Sequence, residues 1–423
     1  MASASLHGRA LSRRFRAVVR PNVNVRLRSL HEDEGEDLFG LNPDDLDSLG
    51  RTVRWANVVS VLVRPGLWRT EDQVERWLYP GYRFCEWDDF LNVLRQCNSI
   101  VTLDFGCDSQ DDPNIGIDQI ERLIDVLPEL PNLRNLYLFN HNIEEGIEEL
   151  CNVLPRCTSL SHLDLSGNNL DAEAMEDVMY HAMQRCRHIK ELILENNNQS
   201  LDDTMAIPAS NLSLTRLSLN HTDLSPEGGE MGSETGWLAG VLHHCPSLTS
   251  LGLRHTVCDF DTDDMETVSA GLSSCTRLTS LDIGSNNLRF HGTMESLVGV
   301  LPDLPLLEYL NIENNALDRR DFVTLNDVLR RCTSLTSLNI GGKTPGGEYS
   351  NLFAQFVDNG SRSPLKVLNL RDTGLINHIE PFRLVLPALT SLERLDVSRN
   401  YLRHDLLDES KTPAQRDNLE IIY

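Results

Sequence analysis

The side chains with chemical potential in this sequence are ten cysteines, thirteen histidines and a few pairs that set histidine beside asparagine or arginine. Nucleophilic, phosphate or metal chemistry needs such groups at fixed spacings. No G-x-x-x-x-G-K-[ST], H-E-x-x-H or G-x-S-x-G run is present. No C-x-x-C pair supports zinc. GGKTPGG at 341–347 lacks the glycine spacing of a phosphate loop and reads as a widened turn. His243–His244 reads as a helix end, where the helix dipole favours it. Asn220–His221 and Arg254–His255 bring two imidazoles but no third metal ligand. No catalytic residue, metal or cofactor is therefore assigned, and the chain is read as non-enzymatic.

Composition narrows the partners. Lys plus Arg is 38 and Asp plus Glu is 63, a net charge of -25. That excess disfavours nucleic acid, whose phosphates require a basic footprint. It fits a protein partner with a basic surface. No run approaches the ~18 apolar residues of a membrane span. Residues 1–30 hold seven arginines and no acid, so the remainder carries -25 - 7 = -32. In the leader, Leu11, Phe15 and Val18 share one helical face and Arg9, Arg13, Arg16 and Arg20 another. The leader is read as a basic arm on a cytoplasmic protein, and the alternative is a mitochondrial or plastid transit peptide, to which such a start is similar. No apolar h-region marks a secretory signal, so the thiols are expected to be reduced.

The elements that position these residues come from a repeat, L-x-x-L-x-L-x-x-N-x-L. It reads LSHLDLSGNNL from Leu160, LTSLDIGSNNL from Leu278, LEYLNIENNAL from Leu307 and LERLDVSRNYL from Leu392. Variants start at Leu133, Ile189, Leu214, Leu248, Leu335 and Leu365, and a worn copy at Ile100, giving a mean period of about 29. The L-x-L alternation predicts a strand with its leucines on one face. The ninth slot is Asn at 168, 197, 286, 315 and 400, and Thr at 222, 256 and 373. There a short polar side chain can bond the backbone where the strand ends. Between strands the period turns helical, as in Leu150, Val153 and Leu154 or Phe322, Leu325, Val328 and Leu329. Six cysteines, at 97, 157, 186, 245, 275 and 332, stand three residues before the first strand leucine. Leu130, Leu304 and Leu389 share that slot, so it is read as small and buried.

This pattern resembles the leucine-rich repeat superfamily over residues 100–402, and its long period and helical return resemble the ribonuclease-inhibitor-like subclass. The resemblance implies an α/β solenoid, a horseshoe with a parallel concave sheet and convex helices. Residues 1–47 are expected to be a disordered basic leader and acidic linker. Residues 48–99, with Trp55, Trp68, Trp77 and Trp87, read as an N-terminal cap, and 403–423 as a C-terminal tail. Ser225–Gly236 reads as an inserted loop.

In each repeat the third, fifth, seventh and eighth slots face outward. Tyr137, Phe139, Ile193 and Tyr309 then stand exposed on the strand face, and Asn220, His221, Arg254 and His255 form one patch beside the inserted loop. These eight residues are the expected binding surface of a monomeric, non-catalytic scaffold for a protein partner. The alternative function is a GTPase activator, since the Ran GTPase-activating proteins also carry repeats of this subclass. That family needs an essential arginine, and no family motif surrounds Arg122 or Arg134.

Overall fold

The structure is a computed structural model. It describes residues 3–5, 23–27, 58–63, 91–92, 94–95, 98–106, 117–182, 185–197, 213–222, 236–256, 262–288, 292–329, 331–342, 364–374, 386–402, 407 and 411–423. The tryptophans at 55, 68, 77 and 87, the amphipathic leader face, the acidic linker, Cys97 and the loop at 225–235 lie outside the described residues. The chain divides into two compact units, Met1–Asn198 and Gln199–Tyr423.

Every strand expected from the repeat forms two residues after its repeat start. In the first unit these are β4 (Thr102–Asp104), β5 (Asn135–Tyr137), β6 (His162–Asp164) and β7 (Glu191–Ile193). They pair in parallel and in register, so that Leu103, Leu136, Leu163 and Leu192 stack as one row with no exposed surface. A fully buried leucine contributes about 1.5–3 kcal/mol, and each rung adds several. Three further strands precede them: β1 (Ser3–Ser5), β2 (Val23–Leu27) and β3 (Val58–Val63). They extend the same parallel ladder into the segments expected to be leader and cap. β2 and β3 carry valine in place of the leucine pattern, β1 is Ser-Ala-Ser, and none is followed by an asparagine at the strand exit, so the leucine repeat does not mark them.

The second unit continues the design with β8 (Arg216–Ser218), β9 (Ser250–Gly252), β10 (Ser280–Asp282), β11 (Tyr309–Asn311), β12 (Ser337–Asn339), β13 (Val367–Asn369) and β14 (Arg394–Asp396). All pair in parallel with their sequence neighbours. A last strand, β15 (Glu420–Ile422), adds to β14. The residues read as a tail therefore form one more short rung. Gln415 takes the slot that cysteine or leucine holds elsewhere, is buried, and donates from Nε2 to Leu386 O at 2.6 Å and Leu389 O at 3.1 Å.

The return helices bury one face each. In the first unit α1 (Ile117–Val126) buries Ile120, Leu123 and Ile124, the spacing of a single helical stripe. It is followed by α2 (Ile147–Val153) and α3 (Ala172–Glu176), whose first turn is capped by Asp171 Oδ1 accepting from Ala174 N at 2.8 Å. The second unit has α4 (Gly236–His243), α5 (Thr262–Leu272), α6 (Thr293–Val300) and α7 (Arg319–Leu329), then α8 (Pro413–Asn418) before the last strand. Helix α4 ends at His243 as the sequence suggests. Several return segments finish in a Leu-Pro turn of 3-10 helix, at Leu127–Glu129, Leu154–Arg156, Leu301–Asp303 and Leu386–Ala388. Proline has no N–H to continue the α-helical bonding, so the chain tightens and turns towards the next strand.

The cysteine slot is a core position. Cys157, Cys186, Cys245, Cys275 and Cys332 are all buried and unpaired in disulfides, and Cys151 on α2 joins them. Burial pushes the Cys245 and Cys275 thiols up to about 12, which keeps them protonated and inert.

Candidate functional site

Three slots at the strand exit share one local design in both units. The fifth-slot Asp or Asn turns its Oδ1 back to accept the N–H two residues on. Asp164 holds Ser166 N at 3.0 Å and Asp282 holds Gly284 N at 3.0 Å. Asn339 holds Gly341 N at 3.1 Å, and Asp396 holds Ser398 N at 2.9 Å. Short polar side chains favour this turn because they mimic a backbone acceptor. The eighth slot takes a left-handed backbone, with φ of 63° at Asn140, 55° at Asn196, 58° at His221, 52° at His255 and 57° at Asn314. Asn, Asp and His tolerate that region better than bulky residues do. The ninth-slot side chain closes the turn. Asn286 Nδ2 donates to Leu253 O at 2.6 Å and Ile283 O at 3.1 Å, while its Oδ1 accepts Thr256 N at 2.8 Å. Asn168, Asn197 and Asn315 make the same bonds in their own rungs. The expected backbone bonding at this slot is thus present.

The ninth slot of the rung at Leu133 holds His141 instead. It is buried, and its Nε2–H donates to Phe105 O at 2.6 Å while Nδ1 has no partner. Burial lowers its pKa below the ordinary value, although the Phe105 bond and Asp104 pull the other way. The unfolded histidine titrates near pH ~6.5. Between the two values the unfolded chain binds a proton that the native one excludes. This contribution to stability is therefore complete above pH ~6.5 and is lost as pH falls towards the folded pKa. His141→Asn restores the residue of the other rungs without a titrating group. Urea unfolding from about pH 7.5 down to about pH 5.5 should destabilise the native chain more than this variant. Equal losses in the two proteins would show that His141 does not report on acid.

The eight expected binding residues fall in two separate groups, three in the first unit and five in the second. Tyr137 on β5 lies in register between Asp104 on β4 and Asp164 on β6. Its ring meets that of His162 at 4.8 Å and 45°, and His162 Nδ1 bonds Glu191 Oε2 at 3.0 Å. Burial raises the Tyr137 pKa, with Asp104, Asp164 and Glu191 adding to the effect. Phe139 lies over Gly106, where a Cβ would run into its ring. Tyr137 and Phe139 are both partly exposed. Ile193 corrects the sequence reading, since only 7% of its surface is exposed. A β-branched side chain stays low on a sheet whose strands are about 4.8 Å apart, so its neighbours cover it.

In the second unit Asn220 lies over Gly252 and accepts Arg254 N at 2.8 Å. His221 and His255 are exposed, with ring centroids 5.5 Å apart. The structure thus brings Asn220, His221, Arg254 and His255 together as one patch. The Arg254 guanidinium crosses Gly284 to an ion pair with Glu313, whose Oε2 accepts Asn339 Nδ2 at 2.7 Å. Tyr309 stands beside them, partly exposed, its pKa raised by burial and then by Asp282 and Glu313. His162, Glu191 and Glu313 are the neighbours that a search for aromatic and arginine anchors passes over. Reading the third slot from strand to strand brings out the first two.

No group of three or more His, Cys, Asp or Glu placed to hold a metal occurs among the described residues. No helix among them is long and apolar enough to cross a membrane.

In-register parallel strands, a polar ladder at the strand exit and a helical return make the fold an α/β leucine-rich repeat solenoid. A family model of the leucine-rich repeat matches residues 156–179 and 210–231. No curated protein sequence matches the chain. Among solved structures it is similar to an internalin (inlF) from Listeria monocytogenes str. 4b F2365, with 15% identity, 97% of this chain and 88% of that chain covered, and a TM-score of 0.45.

Proposed function

We propose that this leucine-rich repeat protein is a monomeric, non-catalytic scaffold of the ribonuclease-inhibitor-like kind. It binds a protein partner on its strand faces, the concave side expected of the repeat. The observation that carries the reading is the rigid presentation of Tyr137 and Phe139. Both are partly exposed on or just beyond a strand pinned by ladder bonds on each side, so ordering them on binding loses little entropy. Aromatic and arginine side chains dominate interface energetics. In the second unit Tyr309 and Arg254 offer the same chemistry, with Arg254 already oriented by Glu313. The acidic balance favours a partner with a basic rim and an association sensitive to salt.

The test is affinity capture with a purified partner. Tyr137→Ala should weaken binding by about 1–3 kcal/mol with no change in circular dichroism. Glu176→Ala, exposed on α3, should leave it intact. Binding lost through Glu176 and kept without Tyr137 would move the interface to the helices. The GTPase-activator alternative gains no support from these findings, and a hydrolysis assay with candidate small GTPases separates it from the scaffold reading.

A further inference from the structure

The outward slots of β4 to β7 have a charge pattern that the second unit does not share. From β4 to β7 the third, fifth and seventh slots include Asp104, Asp164, Glu191 and Glu195 and no Lys or Arg. The same slots in the second unit carry Arg216, Arg254, Arg371 and Arg394. The acidity of the first face is thus a local property and not only the average charge of the chain. Its carboxylates are arranged around aromatic rings. Asp104, Tyr137 and Asp164 occupy one slot on three successive strands, which sets the backbones that carry carboxylate, ring and carboxylate about 4.8 Å apart. Glu191 fixes the His162 ring against Tyr137, and the bare backbone at Gly106 leaves the space that the Phe139 ring fills.

We propose that this face of the first unit is a receptor for arginine side chains on an extended basic segment of the partner protein. The proposal rests on the scaffold reading and names the chemistry that the first face selects. A guanidinium suits the arrangement better than an ammonium does. It is planar and weakly hydrated, so it stacks on Tyr137 or Phe139, and its fork of N–H donors reaches carboxylates at the ring edge. An ammonium gains the charge attraction but cannot stack or bond in a fork. Alternate residues of an extended segment lie roughly 7 Å apart on one side, close enough for two arginines to engage the face together.

The experiment uses the full chain and fluorescent peptides of alternating glycine with arginine, lysine or glutamate, read by anisotropy at low salt and at about 0.3 M salt. The arginine peptide should bind at least about fivefold tighter than the lysine peptide of equal charge, and the glutamate peptide should not bind. Tyr137→Ala should remove the preference for arginine, whereas Tyr137→Phe, which keeps the ring, should retain it. Asp164→Asn should weaken the arginine peptide about tenfold, while Asp125→Asn on α1 and Glu176→Gln on α3 stay within about twofold. A melting curve for each variant separates loss of the face from loss of the fold. Equal binding of the arginine and lysine peptides would overturn the proposal, as would equal losses from the helix-side variants, because either means attraction to net charge alone. A partner cross-linked to this face through a segment without arginine would overturn it too, and would leave the scaffold reading standing.

Discussion

Asn286→Ala should destabilise the second unit by about 3–5 kcal/mol. The side chain has no exposed surface, and its amide serves the Leu253 and Ile283 carbonyls and the Thr256 N–H. Its own N–H is held in turn by Asn315 Oδ1 at 2.6 Å. Alanine removes the partners of buried backbone groups that water cannot reach, and each such group costs about 1–3 kcal/mol. The damage should extend to the neighbouring rungs, because stability in a stacked array passes through nearest-neighbour contacts. Urea denaturation gives the loss directly, and hydrogen exchange shows its extent. A shift below about 0.5 kcal/mol would mean that water enters the turn and replaces the amide.

Cys275→Asp should destabilise by about 3 kcal/mol or more. Cys275 is wholly buried, and its thiol donates weakly to Leu242 O at 3.4 Å. The same burial that pushes the thiol up to about 12 acts against a carboxylate charge. Cys275→Ala leaves only a small cavity and should cost far less. Similar melting curves for the aspartate and alanine variants would show that the slot is wet. Thiol titration is a companion measurement. The native chain should expose few reactive groups and the denatured chain all ten of its cysteines.

The strands from β4 to β14 are legible in the sequence because a leucine row leaves little freedom. A slip of one residue would turn the whole row to solvent. The cysteine slot is legible for a related reason, since cysteine and leucine interchange only where water is absent. The rungs at β1 to β3 are not, because the valines of β2 and β3 and the Ser-Ala-Ser of β1 make strands without the leucine signature. Gln415 hides the last rung in the same way, as a polar residue in an apolar slot. The candidate surface is half legible. The strand position of Tyr137 or Arg254 follows from the period. That Arg254 is tied to Glu313, that Ile193 is covered, and that one oxygen of each fifth-slot Asp or Asn is taken by its own turn depend on neighbours a full repeat away or on side-chain rotamers. Periodicity does not encode these.

The ninth slot also divides the second unit into stronger and weaker joints. An asparagine there has two arms of different reach. Asn286 grips the Ile283 carbonyl of its own rung and the Leu253 carbonyl of the rung before. Threonine has one arm. Thr256 and Thr373 donate to Leu253 and Leu370 of their own rungs and, at 3.4 Å, to the asparagine Oδ1 of the rung after, and neither reaches a carbonyl of the rung before. The ladder is therefore stapled at Asn286, Asn315 and Asn400 and merely folded over at Thr256 and Thr373. Pulled along its stacking axis, the second unit should tear first at those two seams, ahead of β9 and ahead of β13. Thr256→Asn, by adding the missing arm, should move the first tear elsewhere.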